Sequence, residues 1–318
     1  MAKILDDPVM MWLLGGILGL LIVASAATAV LRMLVHSDGG RATMANVGTR
    51  VRAWWVMTGV LAVAMLLGPI VSISLFGIMS FLALREFITI TPTQRGDHRA
   101  LFWAFFIIVP LQYLFVGIHW TGMFLVFIPV YCFLFLPIRS VATDDPQDFL
   151  GRTSKIHWGL MVCVFALSHV PALLTLEIPG QPPTASFRLL IFLAVCNQGC
   201  DVLQFIWGKT CGRHAVLPHI SPKKTWEGLT GGVLSVGGLG AALWWATPFV
   251  WWQAGLFGLG IGMLGFFGDV VLSAIKRDAG IKDYGHLIAG HGGILDRVDS
   301  MCFAAPVFFH LVRYLYVP

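Results

Sequence analysis

Residues 54–84 read WWVMTGVLAVAMLLGPIVSISLFGIMSFLAL, an apolar run of 31 residues without one charged side chain. As a single helix it would measure roughly 46 Å, against a bilayer core of about 30 Å. Gly68-Pro69 stands near its middle. Proline lacks an amide hydrogen and clashes with the preceding turn, so it divides a helix more readily than it continues one. The run is therefore expected to form two helices, 54–68 and 70–84. The alternative is one long tilted helix. The choice decides which face of a membrane every later loop would occupy.

The rest of the chain asks for a bilayer. Hydrophobic residues make up 57% of it and charged residues 12%, where soluble domains carry about 25% charge. Mean hydropathy is +0.81. A soluble helical protein with a very large core is the other reading of such a composition, and the length of the apolar segments argues against it. Further spans are expected at 10–34, 101–117, 121–137, 156–176, 187–207, 228–246, 249–272 and 300–316, bringing the total to about ten. The fold class is thus all-α, a polytopic integral membrane protein. No cleavable leader is expected. Six cysteines at 132, 163, 196, 200, 211 and 302 show no CxxC spacing. They read as small hydrophobes and not as disulfides or metal ligands.

Cations test the count. With ten spans and both termini outside, 18 of the 21 Lys and Arg residues fall on the cytoplasmic side. Only Lys3, Arg188 and Arg313 fall outside. Such a bias is what insertion selects, and a single helix over 54–84 would lose most of it. The positive charge forms no dense basic arm, so a nucleic-acid partner is not expected.

Charge gathers late in the chain. Residues 268–300, GDVVLSAIKRDAGIKDYGHLIAGHGGILDRVDS, hold five aspartates and four cations between two apolar segments. An N-terminal scaffold over 1–186 and a catalytic half over 187–318 follow from that asymmetry. Asp269 and Asp296 stand at the ends of two spans, where two carboxylates can hold a hard divalent cation of the magnesium kind. Asp201 lies inside a span, with Asn197 and Gln204 on the same helix face. It is either a site residue or a buried aspartate hydrogen-bonded to a neighbouring helix. Lys223 and Lys224, in the run Ser221 to Gly228, SPKKTWEG, sit at an expected helix start and suit phosphate oxygens; a basic loop touching lipid headgroups is the plainer reading. His291 is a ligand contact or a loop cap. Carboxylates for metal, cations for phosphate and an apolar body for a lipid point to phosphoryl or nucleotidyl transfer onto a membrane lipid.

These residues carry a resemblance. The chain resembles the phosphatidate cytidylyltransferases, also called CDP-diacylglycerol synthases, over about 201–300. Their signature is met at Ser273, Lys276, Arg277, Lys282, Asp283, His291, Gly292, Gly293, Asp296, Arg297 and Asp299. The SPKKTWEG block is complete, and Gly208, Lys209 and His214 match a further element. Cys200 and Ala289 depart from the usual residues at their positions. The resemblance implies CTP and phosphatidate as substrates, CDP-diacylglycerol and pyrophosphate as products, and one or two magnesium ions with room for a monovalent ion. It implies catalytic roles for Asp269, Asp296, Lys276 and Arg277. It implies nucleotide binding by Lys209, Ser221, Lys223, Lys224, Lys282, His291 and Arg297, and metal binding by Asp269 and Asp296 with Asp283 behind them. The expected place is a bacterial inner membrane with the site on its cytoplasmic side, and a homodimer is compatible with it. Three alternatives stay open: a CTP-dependent lipid-alcohol kinase, a paralogue with another lipid acceptor, and a transporter.

Overall fold

The computed structural model describes residues 4, 6–34, 38–91, 94–142, 144–285, 287 and 292–317. Ten long helices dominate it. They are α1 (Pro8–Leu34), α2 (Asp38–Leu67), α3 (Pro69–Thr89), α4 (His98–Gly117), α5 (Thr121–Val141), α6 (Phe149–Thr175), α7 (Ala185–Cys211), α8 (Trp226–Ala242), α9 (Trp251–Asp278) and α10 (Leu295–Tyr316). Among the described residues nine of these are long and apolar enough to cross a membrane. The exception is α8, with 17 residues. A single 3₁₀ turn, Trp244–Ala246, continues it to the end of the span expected at 228–246.

The apolar run 54–84 does divide. Gly68 has φ 113°, a conformation open to glycine and strained for other residues, and Pro69 begins α3. Both helices reach further than hydropathy indicated, α2 back to Asp38 and α3 on to Thr89.

Among the described residues one hairpin departs from an all-helical description. β1 (Ala215–Leu217) pairs antiparallel with β2 (Ser221–Thr225), Ala215 opposite Thr225 and Leu217 opposite Ser221. This hairpin fills the connection between α7 and α8.

Glycine lets α7, α8 and α9 meet backbone to backbone. A Cβ on Gly232 of α8 would lie 2.9 Å from the Gln204 backbone of α7, and one on Gly240 would lie 2.5 Å from the Ala254 carbonyl oxygen of α9. Close approach of this kind is how membrane helices associate where apolar burial offers little drive. On the far side α10 closes the group, with Phe308 packed on Phe192, Phe249 and Phe257. Five of the six cysteines are buried and none is paired.

Candidate active site

The SPKKTWEG block builds a corner. Thr225 is extended, and its Oγ1 accepts from the Gly228 amide at 3.1 Å, which caps α8. Glu227, in the first turn, accepts from the amides of Arg213 at 3.1 Å and His214 at 3.3 Å, and lies 2.6 Å from His214 Nδ1. These bonds fasten the hairpin to the helix start. They leave Lys223 exposed and Lys224 turned inward. Lys224 Nζ lies 2.5 Å from Asp269 Oδ2 and 4.6 Å from the centre of the Phe266 ring.

Three helices each bring one acid towards that lysine. Asp269 on α9 also accepts from Ser273 Oγ at 3.1 Å. Asp299 on α10 is buried, and among the described residues it accepts only from the amide of its neighbour Ser300, at 2.8 Å. Asp201 on α7 faces Ser300 Oγ at a long 3.5 Å, and that hydroxyl takes a bond from Asn197 Nδ2 at 2.9 Å. The Asn197 Oδ1 is buried and has no partner among the described residues. Asp201, Asp269 and Asp299 lie within range of one another's charge, and Lys224, Lys276 and Arg297 oppose that charge in part. Carboxylate oxygens that repel one another fit a hard divalent cation in kind.

Asp296 is used differently. Its Oδ1 lies 2.9 Å from Lys276 Nζ, and its Oδ2 accepts from the amides of Tyr284 and Gly293, both at 2.9 Å. Tyr284 donates its hydroxyl to the Leu272 carbonyl at 2.9 Å, and burial pushes its pKa up. Asp296 therefore folds the connection between α9 and α10. It is not brought to the three acids with free oxygens.

The other expected residues spread over the same end of the molecule. Arg277 donates to the carbonyls of Ile220, in the β-hairpin, and Ile281. Lys282 and Asp283 are exposed. Lys209 is exposed beside Phe205, 5.9 Å from its ring centre. Ser221 is half-buried in β2, and Arg297 is half-buried with its Nε unpartnered among the described residues. His291 lies outside the described residues. Reading by sequence missed Ser300 and Tyr284 and assigned no role to Asp299. It also missed Glu86, whose carboxylate reaches the start of α10. A glutamate near the end of an apolar segment was the one available signal.

Fold and geometry together define an integral membrane protein that collects carboxylates and amines at one end of its last four helices. Comparison with known proteins narrows this. The chain belongs to the cytidylyltransferase family, whose sequence profile matches residues 48–315. An uncharacterized protein of Escherichia coli (strain K12), YnbB, is 42% identical over 308 residues, 95% of this chain and 97% of that one. The phosphatidate cytidylyltransferase of Synechocystis is 45% identical over 139 residues, 42% of this chain and 46% of that enzyme. The match thus spans about half the length of that relative. The phosphatidate cytidylyltransferase of Rickettsia typhi is 36% identical over 173 residues, 51% of this chain and 73% of that enzyme.

Proposed function

We propose that this protein transfers the cytidylyl group of CTP to phosphatidate, releasing pyrophosphate, at the cytoplasmic face of a bacterial inner membrane. Family membership across 48–315 carries the reading. The Lys224–Asp269 pair among three acids supports it chemically.

The acceptor phosphate is already anionic near neutral pH. One of its oxygens attacks the α-phosphorus, and the bond to the leaving pyrophosphate breaks with its electron pair. No serine nucleophile or general base is required. The difficulty is bringing two anions together, so positioning and charge neutralisation carry the rate. Lys224 is held beside the acids by Asp269 and the Phe266 face, within reach of a bound phosphate oxygen. Lys223 on the same strand offers a second amine towards solvent. Arg277 ties the hairpin to the end of α9 and keeps those lysines over Asp269.

Asp269 and Asp299, with Asp201 behind them, would hold magnesium, which supplies Lewis-acid charge at the phosphates when bound. Among the described residues no group of three acids, histidines or cysteines is placed to hold a metal ion by itself, so water and substrate phosphate would have to complete the shell of a magnesium held by one or two of these carboxylates. We assign Asp296 to the loop and not to the metal, because Lys276 and two amides use its oxygens.

The test is to give the purified protein phosphatidate, magnesium and CTP labelled at the α or the γ phosphorus. Label on the lipid from α, and release from γ as pyrophosphate, is expected. Label on lipid from γ would make the protein a kinase. Reaction with another lipid acid but not with phosphatidate would change the acceptor.

A further inference from the structure

Helix α10 begins without a cap of its own. The residue before it, Ile294, has helical dihedrals and makes no side-chain cap bond. The first amides of a helix need acceptors from elsewhere. Asp296 takes one of them, from Gly293. The next two go to Glu86, near the end of α3. Its Oε1 accepts from Ile294 at 3.0 Å, and its Oε2 accepts from Leu295 at 2.8 Å. The connecting loop is shaped around this carboxylate. A Cβ on Gly285 would stand 2.8 Å from Oε1, and a Cβ on Gly293 would collide with both oxygens. An anion at this place also complements the positive end of the helix.

The consequence lies one turn further on. Asp299 is four residues past Leu295, on the same face of α10. Asp296 lies in the turn that Glu86 caps. A frayed first turn would release the Gly293 and Tyr284 bonds of Asp296 and loosen Asp299 against Asp269. We propose that Glu86 is a positioning residue for the transferase site: it is the distant cap that sets α10, and through it Asp296 and Asp299, against α9. This rests on the function proposed above. It gives the N-terminal half a part in the site beyond that of a scaffold.

The chemistry calls for a carboxylate. Both oxygens accept, and a glutamine would turn its own N–H groups against one of the two amides. In E86Q, one bond is lost and one close N–H pair is added. E86D keeps both acceptors on a shorter arm.

The experiment uses the full chain in nanodiscs and two readouts. Without nucleotide or metal, amide hydrogen exchange in peptides covering 292–299 should be faster by 10-fold or more in E86Q, with α8 unchanged. With CTP and phosphatidate, kcat should fall 10-fold or more, KM for CTP should stay within about twofold, and the magnesium concentration giving half-maximal rate should rise several-fold. E86D should lie between E86Q and wild type. A smaller folded fraction cannot move the magnesium requirement, so a purely structural role leaves it at the wild-type value. Wild-type kcat and magnesium requirement in E86Q, or in E86D should E86Q not accumulate, overturn the proposal even if exchange is faster. A wild-type protein that puts no label on phosphatidate defeats the functional reading, and the proposal with it.

Discussion

Asp7, just before α1, meets Arg188, at the start of α7, at 2.5 Å. The same Asp7 oxygen accepts from Arg188 Nε at 2.9 Å and from Thr184 Oγ1 at 2.5 Å. Six membrane-length helices separate the two residues in sequence. A chain returns to its starting face only after an even number of crossings. If each of the other membrane-length helices crosses once, residues 54–84 cross twice, because one tilted helix would leave Asp7 and Arg188 on opposite faces, about 30 Å apart. The pair also explains one of the three cations outside the positive-inside pattern, since Asp7 neutralises Arg188.

Topology can be read with single cysteines in a Cys211→Ser background. Ala45 is exposed in α2 ahead of the apolar run that starts at Trp54, and Gln181 is exposed just before α7. Ala45→Cys should react with an impermeant thiol reagent only in opened membranes, and Gln181→Cys in intact cells. The reverse pattern would invert the protein.

Asp7 also makes a pH prediction. Burial penalises its charged form, but bonds from Arg188 and Thr184 and the Arg188 charge outweigh this and hold its pKa below the ordinary 3.8. The unfolded chain therefore takes up this proton first. Stability from the pair is full above the unfolded value and is lost as pH falls through the lower folded one. D7N should cost roughly 1–3 kcal/mol at pH 7, less than a fully interior pair because it sits at helix ends. Thermal unfolding in detergent should show the gap between wild type and D7N narrowing towards pH 3. A gap that stays constant would mean that the Asp7 charge contributes nothing.

Much of the architecture was legible because a bilayer leaves few choices. A span must be apolar for about twenty residues, and cations mark its inner end. The legible part stopped where side chains choose partners. Asp296 and Asp299 are three residues apart in one helix, and nothing in their spacing tells which accepts amides and which faces Asp269. Lys223 and Lys224 are adjacent, and only the strand of the hairpin sends one outward and the other inward. A β-strand of five residues between two apolar runs has no period long enough to recognise. Glu86 was hidden for a different reason, since its partners lie more than 200 residues away.

That alternation separates the two lysines by experiment. K224A removes the amine paired with Asp269, and is expected to slow turnover 10-fold or more and raise the CTP requirement. K223A removes an exposed amine and should change either value less than about threefold. Equal effects from both would mean that the loop acts through its net charge at the membrane surface. No effect from the double variant would make it a headgroup anchor.

The two acids of α10 should part in the same way, with stability as the second axis. Asp299 is buried against like charges and accepts one local amide. D299N keeps the shape and removes some of the repulsion from Asp201 and Asp269. The variant should unfold at the wild-type temperature or above it, while turnover falls 100-fold or more, because an oxygen proposed to hold the metal is gone. D296N leaves the Lys276 amine buried without its anion, and puts an N–H group where Tyr284 and Gly293 need an acceptor. Removing one partner of a buried pair costs about 3–5 kcal/mol. D296N should therefore lose both stability and turnover, and its remaining activity should follow its folded fraction. Thermal unfolding and turnover measured on the same preparations decide the matter. Near-normal turnover in D299N would remove Asp299 from the metal site. A stable but inactive D296N would return Asp296 to it.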